Sequence, residues 1–422
     1  MKILFYNHTG KVSGAEHLLL MILSQLDRDR FDPVVVCPRE GTLQTMAEGL
    51  AVPVETVAGL EARFTWRVDR LTRYCKSFYQ TVSQVRRKVV SLEPVLIHAN
   101  SIRSGLVATA ATLGLGTRVI WHLHDLLPRH PLSTAIRGFA CFSLRSRMIA
   151  VSQAVAGNFR GAFFPLRKRA SVILNAIDLN KFQPAPDVRA AKRRELELDN
   201  TEFVVGIIGQ ITPRKGPLQL LRAFARVLVD LPQAVLVIVG APLFNRDHEY
   251  LDLLKRTALE LGLGRSVRIL GSRSDVAAVM QSFDLLVINS SVEPFGLVAL
   301  EAMACNTPVL AAATGGLCEI VEHGKDGWLF PPGDEESLAA AIINLSRQPL
   351  LRTNLIEEGR KKVALNFGAE RYMKELQDFY LQVGNAAIAA TPNRNAMGRK
   401  HFTQRRKEAK AQRLKNTTQV VR

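Results

Sequence analysis

Residues Asp284 to Val321 read DLLVINSSVEPFGLVALEAMACNTPVLAAATGGLCEIV, a strand pattern followed by a turn and a helix pattern. The apolar residues after Asp284 run without alternation, as they do in strands buried on both faces of a parallel sheet. A turn follows, and a helix pattern begins at Gly296. Two carboxylates, Glu293 and Glu301, stand eight residues apart, the first in the loop and the second in the helix. Because ligands of open α/β sheets bind at the carboxyl ends of strands, both are candidate binding residues.

Strand patterns alternate with helix patterns along the whole chain, which predicts parallel sheets. The strand patterns lie at residues 2–7, 33–38, 96–100, 118–125, 148–152, 171–174, 203–209, 234–240, 267–271, 285–289 and 308–312. The charged segment 175–200 contains Pro184 and Pro186, and we interpret it as an interdomain connection. The sequence therefore predicts two Rossmann-like α/β domains of ordinary size, with a cleft between them.

The composition is that of a globular protein, with 47% hydrophobic and 22% charged residues in a chain of 422. No apolar run approaches the roughly 20 residues that span a bilayer, and the apolar run at residues 18–23 is too short and too acidic at its start for a signal peptide. Five cysteines, an odd number without metal-type spacing, indicate reduced thiols and no zinc site. These features predict a cytoplasmic protein.

The pattern EPFGLVxxEAMAxxTPVxAxxxGG closely resembles the nucleotide-sugar motif of retaining GT-B glycosyltransferases, in particular glycosyltransferase family 4, also called group 1. The resemblance implies that Glu301 holds the ribose hydroxyls and that Glu293 faces the transferred sugar. A carboxylate can accept two charge-assisted hydrogen bonds from a vicinal diol, which suits the first role. The alternative is that Glu293 only complements the helix dipole and that Glu301 is a solvated helix residue. The FG, EAMA, TPV and GG elements around them favour the binding site.

The start of the same helix is a candidate site for the sugar and phosphate, because the first N–H groups of a helix have no acceptor within it. The backbone groups concerned belong to Phe295, Gly296, Leu297 and Val298.

The segment GQITPRKG, residues 209–216, follows a strand and resembles the family's phosphate-binding motif of Gly-Arg followed by Lys-Gly. Lys215 matches, and the resemblance implies that it grips the diphosphate and stabilises the charge on the leaving nucleotide. Gln210 stands where the family has Arg, and Arg214 is a candidate substitute. No DxD or His/Asp cluster stands at a strand end, so we expect these cations to replace a metal ion. The prediction is therefore that the protein has neither metal nor cofactor and uses a nucleotide diphosphate sugar as donor substrate.

The first loop of the chain, NHTGKVSGAEH, places Gly14 between a strand and a helix. It resembles the family's GG-A-E-type loop with Ser13 in place of the first glycine, which implies a close backbone approach to phosphate or acceptor. A tight turn before a helix is an equally good interpretation.

WHLHD, residues 121–125, ends a strand, and His124 with Asp125 matches the family's His-Asp pair, whose His faces the reacting sugar. His122 lies on the same face of the strand and is either part of the site or a buried, satisfied histidine. The resemblance also places Glu319 at a helix start near the nucleotide and makes Ser152 structural.

Net charge is +18, and it is concentrated in two regions. Residues 394–422 hold ten basic residues and one acid, and we expect this tail to be disordered. Residues 61–90 are rich in Arg and Lys with interleaved aromatics, which suits an anionic membrane surface or, alternatively, a solvated helix face. No nucleic-acid-binding fold accompanies these charges, so nucleic acid is not a predicted partner.

The complete prediction is a GT-B protein with an acceptor domain at residues 1–178 and a nucleotide-sugar domain at residues 179–366. A helix at 367–388 crosses back to the first domain, and a basic tail follows at 389–422. We expect a retaining hexosyltransferase that uses a UDP- or GDP-sugar and a lipid-linked or cell-envelope polysaccharide acceptor, peripherally on the inner membrane face. The alternatives are a catalytically silent scaffold that binds sugar nucleotide or glycan, and a nucleotide-sugar 2-epimerase.

Overall fold

The computed structural model describes residues 1–60, 68–143, 145–161, 169–242 and 245–389, and it contains two parallel sheets. Seven strands form the first sheet in the order β3-β2-β1-β4-β5-β6-β7, and six form the second in the order β10-β9-β8-β11-β12-β13. All strand pairs within both sheets are parallel. The predicted fold class of two facing α/β domains is confirmed.

The first sheet and its helices extend to residue 172. Their bounds are β1 Lys2–Tyr6, α1 Gly14–Gln25, β2 Asp32–Pro38, α2 Leu43–Gly49, β3 Val54–Val57, α3 Val68–Leu92, β4 Leu96–Ala99, α4 Ile102–Ala111, β5 Arg118–Leu123, α5 Pro131–Phe142, β6 Ser146–Ala150, α6 Gln153–Arg160 and β7 Ala170–Val172.

The second sheet begins after the connection and after α7. Its elements are α7 Pro186–Glu195, β8 Phe203–Ile208, a 3₁₀ turn Pro213–Lys215, α8 Pro217–Asp230, β9 Ala234–Val239, α9 Asn245–Glu260, β10 Val267–Gly271, α10 Val276–Gln281, β11 Leu285–Ile288, α11 Leu297–Ala304, β12 Val309–Ala312, α12 Leu317–Ile320, β13 Trp328–Phe330, α13 Glu335–Arg347, α14 Pro349–Asn366 and α15 Ala369–Ala389.

The middle strands of both sheets are buried on both faces, which explains their uninterrupted apolar sequences. Every residue of β11 is less than a tenth exposed, and so is every residue of β9. Two short edge strands, β3 and β13, have no counterpart among the predicted strands. They contain four and three residues and pair on one side only, so a strand pattern has little length in which to develop.

Each sheet reverses its strand order beside its first strand, between β1 and β4 and between β8 and β11. Such a switch point opens a crevice at the carboxyl ends of the strands, where α/β proteins bind ligands. The loops after β8 and β11 are residues 209–216 and 289–296, so the two predicted motifs lie next to each other at one switch point.

The last helix, α15, returns to the first sheet after the second sheet is complete. Its residues Tyr372, Leu376 and Tyr380 are fully buried in the apolar cluster that contains Ile3 and Phe5. Gln377 accepts a hydrogen bond from the backbone N–H of residue 27 at 2.9 Å. The two halves of the chain are therefore joined by α15 as well as by the connection.

The basic segment at 61–90 falls only partly in the described region, because residues 61–67 and the side chains of residues 68–71 lie outside it. Of the described cations in α3, Arg86 donates to the carbonyl oxygens of Ala111 and Leu113 at 3.0 and 2.7 Å. Lys88 pairs with Glu55 at 2.6 Å. These two charges serve the packing of α3. The basic tail at 390–422 also lies outside the described residues, and within them every helix is too short or too polar to span a lipid bilayer.

Candidate functional site

The two motif loops at the switch point of the second sheet are joined by an ion pair between Lys215 and Glu293. Lys215 Nζ lies 2.6 Å from Glu293 Oε2, and the side chains are only 18% and 10% exposed. Ser290 Oγ donates a second hydrogen bond to the same oxygen at 2.9 Å. A cation and a carboxylate, both predicted as site residues, therefore meet in a largely desolvated position.

Gly216 permits the close approach of the two loops. Its φ of +67° lies in the left-handed region, and a Cβ there would lie 2.3 Å from the carbonyl oxygen of Asn289. Asn289 Nδ2 donates to the Gly216 carbonyl oxygen at 2.9 Å, and this bond is buried. The glycine after Lys215 is thus required by the backbone contact that brings Lys215 to Glu293.

Arg214 and Gln210 lie in the same loop in different environments. Arg214 Nη1 donates to the carbonyl oxygen of Val292 at 3.0 Å, and the Arg214 carbonyl accepts from the N–H of Ser291 at 2.9 Å. Gln210 lines a small cavity with Lys215 and other residues at the ends of β8 and β11. Arg214 therefore braces the loop that carries Glu293, while Gln210 lies beside the cation.

Glu301 projects from α11 and is half-buried. Burial raises its pKa to about 7, and the positive charges of Lys181 and Lys215 oppose that rise. Among the described residues, its carboxylate has no hydrogen-bond partner, in contrast to Glu293. A desolvated acceptor without a donor is arranged to receive hydroxyl groups from a ligand.

The start of α11 faces the same crevice. Gly296 is the N-cap with a φ of +110°, and Phe295 before it is buried. The N–H groups of Leu297 and Val298 belong to the first helical turn and have no acceptor within the helix. The four backbone groups predicted from the sequence therefore lie between Glu293 and Glu301 along the chain.

The paired glycines Gly315 and Gly316 support Glu293 from behind. A Cβ on Gly315 would lie 2.0 Å from the carbonyl oxygen of Glu293, and the N–H of Gly316 donates to that oxygen at 2.9 Å. The GG element thus fixes the backbone on which the Glu293 side chain stands.

In the first half, His124 follows β5 and belongs to a chain of polar side chains. Its Nε2 lies 3.1 Å from Asn100 Oδ1, and Asn100 Nδ2 donates to Asn7 Oδ1 at 3.2 Å. Since the amide oxygen of Asn100 can only accept, His124 carries its proton on Nε2. Burial lowers the pKa of His124 to about 3, so the ring is neutral at pH 7 and Nδ1 has a free lone pair.

The chain of polar side chains continues to the loop before α1. Asn7 Nδ2 donates to Glu16 Oε1 at 3.1 Å, and Glu16 Oε2 accepts from the backbone N–H of Ser13 at 3.0 Å. Gly14 is the first residue of α1, and a Cβ there would meet open space. The local fold at Gly14 therefore does not itself demand a glycine.

His122 lies in the core of the first sheet. Its Nδ1 is 3.2 Å from His98 Nε2, and Tyr380 of α15 places its hydroxyl 2.7 Å from His98 Nδ1. His122 Nε2 is buried and has no hydrogen-bond partner within the described part of the chain. Burial lowers the pKa of both histidines, that of His98 to about 3. The geometry favours the interpretation of His122 as a buried histidine, with one of its two nitrogens satisfied.

Asp125 shows that the two halves face each other. Although its side chain is exposed to the cleft, desolvation by the surrounding protein raises its pKa. Arg214 of the second half lowers that pKa, and Glu293 raises it. The carboxyl end of β5 therefore lies within electrostatic range of both motif loops.

Glu319 lies at the start of α12, as the resemblance implied, and it contacts the other half of the chain. Its carboxylate accepts hydrogen bonds from the backbone N–H groups of Gln153 and Ala154, both at 2.7 Å, at the start of α6 in the first half. Ser152 Oγ donates to the carbonyl oxygen of Pro294 at 2.6 Å, so the same helix start also contacts the Glu293 loop. Ser152, expected to be a structural residue, therefore joins the two halves of the chain.

Three asparagines of the site were not among the predicted residues. Asn7, Asn100 and Asn289 each follow directly after a strand, β1, β4 and β11, beside the switch points. A polar residue at the carboxyl end of a buried strand is a signal that could have identified them. Lys181, whose charge acts on Glu301, has no such signal because it lies in the connection.

Two family models match the chain. The one described as Glycosyl transferases group 1 matches residues 188–362, and the one described as Glycosyltransferase Family 4 matches residues 12–181. Together they include strands of both sheets.

Curated relatives carry the name D-inositol 3-phosphate glycosyltransferase. The protein of Salinispora arenicola is 32% identical over 321 residues, which cover 70% of each chain. The protein of Thermobispora bispora is 35% identical over 221 residues, 51% of each chain, so that match spans about half the length of the relative.

Solved structures with the same fold cover about nine tenths of the chain. Anabaena Alr3699/HepE in complex with UDP-glucose is 30% identical, with a TM-score of 0.78 over 90% of this chain and 100% of that one. Sucrose-phosphate synthase from Thermosynechococcus elongatus, 23% identical, has a TM-score of 0.73 over 92% and 100% of the two chains. The likeness to the synthase concerns the fold alone.

Proposed function

The chain belongs to the group 1 glycosyltransferases of GT-B fold, and from that premise we propose that it moves a hexose from a UDP-sugar to a glycan acceptor with retention of anomeric configuration. The observation that carries the proposal is the arrangement at the second switch point. Lys215 and Glu293 form a pair there, and Glu301 stands near them with an unused carboxylate. A cation, a sugar-facing acid and a diol acceptor are the groups that a nucleotide-sugar site needs.

For the donor, we assign the ribose hydroxyls to Glu301 and the diphosphate to Lys215. The Glu301 carboxylate can accept two hydrogen bonds from a vicinal diol, which would relieve its desolvated state. The N–H groups at the start of α11 add donors for phosphate or sugar oxygens. The UDP-glucose complex of the 30% identical Anabaena protein supports uridine as the base and glucose as the sugar.

In the proposed reaction, the bond between the sugar C1 and the β-phosphate oxygen breaks while the acceptor hydroxyl oxygen bonds to C1 from the same face. The hydroxyl proton passes to the leaving phosphate, so UDP is released as the protonated product. Negative charge grows on the phosphate in this step, and Lys215 stabilises it at a fixed position with little water around it. Ser290 and Lys215 together hold Glu293 in one orientation against the sugar.

His124 contributes to this step from the first half of the chain. Its ring is neutral, and the bond from Nε2 to Asn100 sets its orientation. The lone pair on Nδ1 can accept a hydrogen bond from a sugar hydroxyl. The proposal therefore assigns to His124 the positioning of the transferred sugar and not proton transfer, since a pKa of about 3 makes it a weak base.

For the acceptor, we propose a lipid-linked or cell-envelope glycan, presented at an anionic membrane surface. The second candidate is D-inositol 3-phosphate, and the specific observation that favours it is the name of the curated relatives. Both offer a sugar-like hydroxyl, so one assay can compare them.

The test incubates the purified full-length protein with UDP-glucose, UDP-galactose or GDP-mannose. Each donor is combined with D-inositol 3-phosphate or with anionic lipid vesicles that carry extracted lipid-linked glycan. We expect transfer from a UDP-hexose and an unchanged anomeric configuration by NMR. Lys215→Ala should lose activity, while Lys255→Ala, an exposed lysine on α9, should keep it.

Three outcomes would overturn the proposal. Donor binding without transfer or hydrolysis would indicate a silent scaffold. Release of the 2-epimer would indicate an epimerase. An inverted product would contradict retention.

A further inference from the structure

The start of α6 is held by three hydrogen bonds from the other half of the chain. Glu319 accepts from the N–H groups of Gln153 and Ala154 at 2.7 Å, one with each carboxylate oxygen. Ser152 Oγ donates to the Pro294 carbonyl oxygen at 2.6 Å. We call these five residues the cross-cleft contact.

The chemistry of the cross-cleft contact is that of a helix cap supplied by another domain. The first N–H groups of a helix have no acceptor within it, and a negative charge is favoured at that end. Ser152 Oγ accepts from the N–H of Val155 at 3.0 Å, so the first three N–H groups of α6 are all satisfied. Two of those three depend on Glu319, which makes the contact specific to one relative placement of the halves.

The contact lies beside the residues that would bind the donor. Pro294 directly follows Glu293, and the turn before Glu319 contains Gly316, whose N–H donates to the Glu293 carbonyl oxygen. Both backbone segments that fix Glu293 therefore meet α6 in the other half.

The contact also lies close to His124. Ser152 stands two residues after the end of β6, and β6 pairs with β5 up to Leu123 opposite Ala150. His124 is the next residue after Leu123. A short path of backbone and hydrogen bonds thus runs from Glu293 through Pro294, Ser152 and the β6–β5 pairing to His124.

We propose that Glu319 and Ser152 are positioning residues that hold the two halves in register, so that His124 lies opposite Glu293 during transfer. Neither residue needs to touch substrate for this role. The claim about transfer rests on the proposed function, whereas the claim about domain placement does not. Loss of the contact lets the halves separate or rotate about the connection and α15, and donor binding within the second half is unaffected.

The direct test is amide hydrogen exchange of the full-length protein without substrate. Because Gln153 and Ala154 have no acceptor within α6, their protection reports the Glu319 carboxylate. We expect both amides to be protected in the wild type and to exchange at least about tenfold faster in Glu319→Ala. Glu322→Ala is the matched control, since Glu322 is an exposed carboxylate three residues on whose partner among the described residues is the side chain of Lys325.

Domain placement is measured by pulsed electron resonance between spin labels on Cys75 and K255C, with Cys141 and Cys318 replaced by serine. Cys75 is exposed on α3 of the first half, and Lys255 is exposed on α9 of the second. A narrow distance distribution is expected, and Glu319→Ala should broaden or lengthen it. Glu319→Gln retains one acceptor oxygen, so its distance distribution should lie between those of the wild type and Glu319→Ala.

Kinetics then separate positioning from general damage. Glu319→Ala should lower kcat by about tenfold or more, with a UDP-glucose Kd within about twofold of the wild type. Unchanged exchange at Gln153 and Ala154, or an unchanged distance distribution, would overturn the proposal even in a protein that shows no transfer. If Glu319→Ala instead binds UDP-glucose much more weakly and keeps its kcat, Glu319 is a donor-binding residue. If no donor sugar is transferred but the exchange and distance measurements show the cross-cleft contact, only the proposed function is rejected.

Discussion

Replacement of Glu301 by Gln is expected to stabilise the protein at alkaline pH while it weakens donor binding. Burial raises the pKa of Glu301 from 4.5 to about 7, because the charged carboxylate has lost water without gaining a partner. Glutamine has nearly the same shape and no charge, so Glu301→Gln removes this cost and keeps the packing of α11. A residue that costs stability in the free protein is the pattern expected at a binding site.

The magnitude follows from the two pKa values. Between pH 4.5 and about 7 the folded protein binds more protons at Glu301 than the unfolded chain does, so the wild type loses stability as pH rises through this window. The full cost above pH 7 is about 3 kcal/mol, at about 1.4 kcal/mol per pKa unit. The stability advantage of Glu301→Gln over the wild type should therefore grow by about 2.5 kcal/mol between about pH 5 and about pH 8.

The assay is urea unfolding of both proteins at these two pH values, followed by calorimetric titration of UDP-glucose. If the ionised carboxylate holds the ribose, donor binding lowers the pKa of Glu301 and releases a proton. At pH 7, where the group is half protonated, about half a proton should be released, and two buffers of different ionisation enthalpy measure that number. Glu301→Gln should bind UDP-glucose weakly and should release no proton on binding.

The argument would be refuted if the difference in stability between Glu301→Gln and the wild type were the same at both pH values. That result would mean that the Glu301 carboxylate is solvated in the free protein. If the stability difference grows with pH but Glu301→Gln binds UDP-glucose as tightly as the wild type, Glu301 is desolvated as described but does not hold the ribose. Glu322→Gln, at an exposed surface ion pair, should show neither effect.

The remaining predictions concern the loop at the switch point and the core beside α15. Lys215→Ala should lower kcat by about 100- to 1000-fold while Kd changes less, as measured in single-turnover transfer. Gly216→Ala should destabilise the protein by about 2 kcal/mol or more in urea unfolding, because it forces a Cβ against the Asn289 carbonyl at a φ of +67°. An unchanged unfolding midpoint would show that the two loops can separate freely. Tyr380→Phe removes the hydrogen-bond partner of the buried His98 Nδ1 and should lower the free energy of unfolding by about 1 to 3 kcal/mol. Adding a hydroxyl at the neighbouring position with Phe379→Tyr is not expected to restore this stability.

Much of the second half could be predicted because its signals are contiguous in sequence. The strand, turn and helix around Glu293 and Glu301 form one continuous pattern, and the strand β11 ends within one residue of the predicted bound. The helix start at Gly296 was predicted as well, since glycine is suited to the left-handed N-cap found there. Local chemistry was sufficient at these positions.

Edges and boundaries were harder to predict for a physical reason. The strands β3 and β13 are short and pair on one side only, so their sequences carry little periodicity. The last helix, predicted at residues 367–388, extends over Ala369–Ala389 as α15, and its packing against the first sheet stabilises a helix of this length.

The amino-acid sequence by itself determined the alternation of buried strands and helices, and with it the fold class and the crevice in which Lys215, Glu293 and Glu301 meet. These depend on apolar periodicity and on motifs that end strands, which are local properties. Tertiary structure alone decided the partners of residues far apart in the chain. Glu319 caps α6 at a separation of more than 160 residues, and Tyr380 reaches His98 across more than 280. A carboxylate or hydroxyl can satisfy any nearby donor or acceptor, so only packing of the domains selects which one it meets.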